Sequence, residues 1–118
     1  MADLKVVQID DLVSISENAL ITIAGIALND VEGVFIKGVK ADEKQKALDK
    51  TGIKNLKKSI DFIQHDQGIM FEVSISITYG SNIEETSKKV QQAIFEAIER
   101  NIGVKPYKVN VIVNGIEF

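Results

Sequence analysis

The sequence predicts an α+β fold, a two-layer sandwich in which helices cover one face of a mixed sheet of about four strands. Three stretches carry that expectation. From 69 to 79, Phe71, Val73, Ile75, Ile77 and Tyr79 alternate with Glu72, Ser74, Ser76 and Thr78. A period of two marks a strand with one buried face. From 82 to 101 the spacing of Ile83, Val90, Ile94, Ala97 and Ile98 predicts an amphipathic helix. From 107 to 114, Tyr107, Val109, Val111 and Val113 alternate with Lys108, Asn110 and Asn114, and the apolar Ile112 interrupts the polar side. Strand, helix and strand in that order form a crossover, right-handed by the general rule, which sets the two strands parallel. Both strands have a polar opposite face, so helices are expected on one side only.

The elements follow in order within a single domain, 1–118. Residues 1–16 read as a leading segment with a small strand near Leu12 to Ile15. Ser16 is a candidate N-cap, with Glu17 in the first turn of a helix running to about Asp30. Leu20, Ile23, Ala24, Ala27 and Val31 form its stripe, while Ile21 and Leu28 lie off it. A helix apolar over so much of its circumference needs cover, either from another layer of the domain or from a second subunit. Its slim waist favours the second subunit, with Ile21, Gly25 and Leu28 as the expected oligomer interface. Glu32-Gly33 ends the helix, and Val34 to Ile36 reads as a short buried strand. A short helix is expected over Asp42 to Asp49 and another turn after Gly52, with Ile53 and Leu56 touching the core. Ile60, Phe62 and Gln64 alternate with Asp61 and Ile63 as a further strand. His65-Asp66-Gln67-Gly68 then makes a hairpin, its glycine placed where positive φ is needed. In the long helix, Ser81 and Glu84 match a capping box, Glu84, Glu85 and Arg100 suit the dipole, and Gly103 and Pro106 close the C-terminal end.

Composition narrows the function. Hydrophobic residues make up 45% of the 118, enough for an ordered core, and the chain has no cysteine and one histidine. Disulfides, thiolate metal sites and cysteine nucleophiles are thereby excluded. No glycine pattern matches a phosphate-cradling loop, and no spacing matches a calcium loop. Neither a metal nor a cofactor is expected, and no catalytic residue is assigned. The nearest approach to a catalytic set is His65 and Asp66 at the hairpin with Glu72 and Tyr79 on the long strand, but Glu72 and Tyr79 point to opposite faces. The N-terminus carries no signal-peptide pattern, and the apolar run 19–28 is far short of the roughly 20 residues a spanning helix needs. A soluble, intracellular protein is the expectation.

The net charge of −3 is unevenly placed. Eight lysines between Lys37 and Lys58 face only Asp42, Glu43 and Asp49. Lys50, Lys54, Lys57 and Lys58 form a candidate basic patch for a partner. A solvated, lysine-rich segment is the plainer account. Without a GxxG loop or paired aromatics for stacking bases, these lysines offer only salt-sensitive attraction, so nucleic-acid binding is the lesser alternative.

The block Ile75-Ser76-Ile77-Thr78-Tyr79-Gly80-Ser81-Asn82-Ile83, followed by Val90-Gln91, Gly103-Val104 and Val109-Asn110-Val111-Ile112-Val113, resembles the bacterial alkaline-shock or envelope stress response protein family. Ile15-Ser16, Ile23-Ala24, Ala27 and Val31-Glu32-Gly33-Val34 are similar to that family's first-helix pattern. Residues 37–58 match no part of it. The resemblance implies a non-enzymatic cytoplasmic protein that self-associates, of a kind in which some members gather near the membrane through a membrane-anchored partner and support envelope homeostasis under stress. It supplies no catalytic residues.

Overall fold

The computed structural model describes residues 6–36 and 52–118. Its elements are β1 (Val6–Asp10), β2 (Val13–Ser16), α1 (Glu17–Asn29), β3 (Val34–Ile36), α2 (Gly52–Ser59), β4 (Ile60–His65), β5 (Gly68–Thr78), α3 (Ile83–Ile102) and β6 (Lys108–Glu117). The alternating apolar residues of β5 make it the centre of a four-stranded sheet. β6 lies parallel to it from Met70 to Thr78. Along the opposite edge two antiparallel strands sit end to end, β4 against Gly68 to Val73 and β3 against Ile75 to Ile77. The sheet is mixed, and β5 and β6 are parallel as the crossover requires.

One face of that sheet is the core. Phe71, Val73, Ile75 and Ile77 are fully buried, while Glu72 between them is exposed. From α3, Val90, Ile94 and Ile98 seal against this face; from β3 and β4 come Val34, Ile36 and Ile60. Full burial of each such side chain contributes about 1.5–3 kcal/mol. The β1–β2 hairpin is a separate two-stranded ladder that contributes Val7 to the same core. Sequence periodicity indicated only the second of its strands.

Several expectations change in detail. The cap of α3 is Asn82, whose side-chain oxygen accepts from the Glu85 N–H at 2.9 Å. Ser81 is taken up by the preceding turn, its N–H bonding to the Thr78 carbonyl at 3.0 Å. Ile83 leaves the helix stripe and is exposed, and Tyr79 lies past the end of β5 at 70% exposure, outside the buried face. Gly103 closes α3 at φ 85, a left-handed conformation that glycine adopts without a Cβ penalty. β6 runs three residues beyond the alternation read from sequence. A bulge leaves Asn114 unpaired, so Val113 faces Ile75 and Gly115 faces Ser76.

The largest correction concerns α1. Ile21, Gly25 and Leu28, expected at an oligomer interface, are buried by the same chain. The slim waist does admit a neighbouring helix, but that helix is α2. A Cβ on Gly25 would stand 2.7 Å from a methyl carbon of Leu56, itself buried. Cover comes from the domain's own layer, the other of the two accounts the composition allowed. The helix expected over Asp42 to Asp49 lies outside the described residues.

Candidate interaction surface

The face of the sheet turned away from the core is built by the polar half of each alternation. On β5 it carries Glu72, Ser74, Ser76 and Thr78; Asp61 pairs with Glu72 from one side and Asn110 from the other. Apolar side chains interrupt this ladder. Ile63 of β4 is 54% exposed beside Met70, and Ile112 of β6 is 44% exposed beside Ser74. The Asn110 amide nitrogen approaches the Met70 sulfur at 3.7 Å. Gly115 makes room for Ser76, since a Cβ there would lie 2.6 Å from the Ser76 hydroxyl oxygen. Among the described residues, no helix residue fills the space over this face.

Ring contacts mark the two ends of β5. His65 stacks on Tyr107 with centroids 5.0 Å apart, and the Lys108 ammonium stands 5.3 Å from the Tyr107 ring centre. Tyr79 stacks on Phe118 at 5.5 Å. The set formed by His65, Asp66, Glu72 and Tyr79 is not assembled. His65 is exposed, and its Nδ1 accepts the Gln67 N–H at 3.2 Å. Glu72 and Tyr79 are seven residues apart along one strand direction, roughly 23 Å. His65 and Asp66 do line one pocket together, whose other walls are mainly the apolar Val7, Ile9, Ile15, Ile69 and Ile102, and neither Glu72 nor Tyr79 reaches it. Among the described residues no three acidic or histidine side chains form a metal-binding group.

β6 has a second edge. One edge pairs with β5, and no described strand pairs with the other. The direction of the free groups follows from two bonds: the Thr78 N–H reaches Gly33 toward β3, and the Tyr79 N–H reaches the Glu117 carbonyl of β6. Alternation then turns the backbone groups of Val109, Val111, Val113 and Ile116 toward the open edge. Gln91 of α3 reaches that edge and donates to the Val109 carbonyl at 3.0 Å. Sequence reasoning missed this edge because strand order is not encoded in periodicity. Of the candidate basic patch, Lys57 and Lys58 are exposed at the C-terminal turn of α2, where they suit the helix dipole. Lys50 and the side chain of Lys54 lie outside the described residues.

The model of the alkaline shock protein 23 family, described by a cell envelope-related function, matches residues 5–118. The chain belongs to that family. Among curated proteins it is similar to the uncharacterized protein Spy1614 of Streptococcus pyogenes, 27% identical over 108 residues covering 92% of this chain and 89% of that one. It is also similar to the uncharacterized protein YloU of Bacillus subtilis, 24% identical over 104 residues covering 88% and 87% of the two chains. No solved structure matches the chain. The family match spans the whole sandwich, hairpin and open edge included. Among the described residues, no helix is long and apolar enough to cross a membrane.

Proposed function

We propose that this alkaline-shock-family chain is a non-enzymatic interaction or scaffold protein of the cytoplasm. It self-associates, supports envelope homeostasis, and reaches the membrane through a membrane-anchored protein partner. The observation that carries this reading is the one-sided sandwich: its core is closed by its own helices, while among the described residues a sheet face and one edge of the ten-residue β6 remain open. Unpaired strand edges are templates for further pairing, and exposed apolar residues beside them favour association. The envelope-related function of the family supports the cellular setting.

Sedimentation velocity across a dilution series is the first test. A concentration-dependent assembly is expected, and a strictly monomeric chain would refute the scaffold reading. For the membrane step, the purified chain is expected to bind inside-out membrane vesicles and to lose that binding when vesicle proteins are trimmed by protease. Equal binding to protein-free anionic vesicles would instead place the contact on lipid. The nucleic-acid alternative rests on Lys57 and Lys58 with Lys54. It gains only if affinity survives physiological salt and disappears when those three lysines are neutralised.

A further inference from the structure

We propose that the free edge of β6 pairs antiparallel with the same edge of a second copy, about a two-fold axis through Ile112, joining the two sheets into one. The inference rests on the self-association reading and names its surface. Residues that face one another across an antiparallel pair must share a sheet face and agree in whether their backbone groups point inward. β6 meets both conditions against itself. With Ile112 opposite Ile112, Val111 falls opposite Val113, both on the core side with backbone groups turned to the open edge. The bulge at Asn114 is skipped in each copy as it is skipped against β5. Asn110 then faces Gly115, Val109 faces Ile116, and Lys108 faces Glu117. The strand's two charged residues thus meet as opposite charges at both ends of the ladder, which favours this register over a slipped one.

The side chains agree with the backbone. Ile112, the apolar residue that breaks the polar side of β6, sits on the axis and packs against its own copy. Edge strands that stay unpaired usually carry a charge or proline at mid-strand. Between Val109 and Ile116, β6 has neither. Gln91 occupies the Val109 carbonyl, leaving the groups of Val111 and Val113 at the centre to exchange hydrogen bonds across the axis.

The absence of cysteine makes the test direct. A non-hydrogen-bonded pair at the axis sets the two position-112 Cα atoms about 4.5 Å apart, within disulfide reach. Ile112→Cys is expected to form an inter-chain disulfide under mild oxidation, while Ile63→Cys on the same face at β4 does not. Ile112→Lys, which places like charges opposite one another, is expected to raise the dissociation constant at least about tenfold with an unchanged circular dichroism spectrum. Lys108→Glu is expected to weaken association, and adding Glu117→Lys to restore it. Wild-type association that Ile112→Lys leaves intact, or crosslinking equal at positions 63 and 112, overturns the edge pairing while the self-association reading stands. A monomeric wild type overturns both.

Discussion

Leu56 occupies the space that any side chain at position 25 would need. A Cβ on Gly25 would meet its two methyl carbons at 2.7 and 2.8 Å, and Leu56 is buried with little room to turn. Helix propensity favours alanine over glycine by about 1 kcal/mol, whereas overpacking a core costs about 1–3 kcal/mol. The second effect is the larger, so Gly25→Ala is expected to lower stability by about 1 kcal/mol in urea unfolding. Leu56→Ala alone costs about 2–5 kcal/mol, and in that background Gly25→Ala becomes neutral or stabilising. The same sign in both backgrounds would rule the contact out. The α3 cap gives a second residue-scale comparison. Asn82→Ala is expected to cost about 1 kcal/mol and Ser81→Ala less than about 0.5 kcal/mol, because only Asn82 accepts a helix N–H. Both Ser81 with Glu84 and Asn82 with Glu85 fit the capping spacing in sequence; the turn that engages the Ser81 N–H decides between them.

At the scale of elements, β6 shows how a bulge extends a strand whose sequence period has broken. Asn114-Gly115 reads as an ending, yet skipping Asn114 restores register and carries pairing on to Glu117. Gly115 is the condition for this, because the Ser76 hydroxyl fills the place of its missing Cβ. Gly115→Ala is therefore expected to destabilise by about 1–3 kcal/mol in thermal or urea unfolding. Adding Ser76→Ala removes the oxygen at 2.6 Å and leaves only the Ser76 Cβ at 3.5 Å, so most of the loss should return. A double variant no better than Gly115→Ala would show that the cost lies in the backbone instead. In α1 the buried arc takes in Leu20, Ile21, Ala24, Gly25, Ala27 and Leu28, whereas Ile26 is exposed. Apolar residues alone could not show where on that crowded circumference solvent begins, since the covering helix belongs to a distant part of the chain.

For the whole molecule, one-sided burial sets where stability resides. β5 is flanked along both edges and its inner side chains are fully buried, while among the described strands β1 and β2 pair only with one another. Native-state hydrogen exchange is expected to be slowest at Val73 and Ile75 and faster throughout the β1–β2 hairpin. Equal protection in the two ladders would contradict a core centred on β5. Among the described residues the same one-sidedness leaves the outer sheet face and one edge of β6 uncovered, the surfaces on which the proposed self-association rests.

The sequence by itself determined the elements whose signals are local: the alternation of β5, the glycine cap of α3 and its stripe from Val90 to Ile98, the parallel return of β6, and a layer of helices on one side. Period and capping act over a few neighbouring residues, so they can be read without knowing the partner. Only the tertiary structure decided that α2 meets α1 at Gly25, that β3 and β4 share one edge of β5, and that no described strand pairs with the second edge of β6. Those outcomes depend on which residues far apart in the chain come into contact, and no local pattern records that choice.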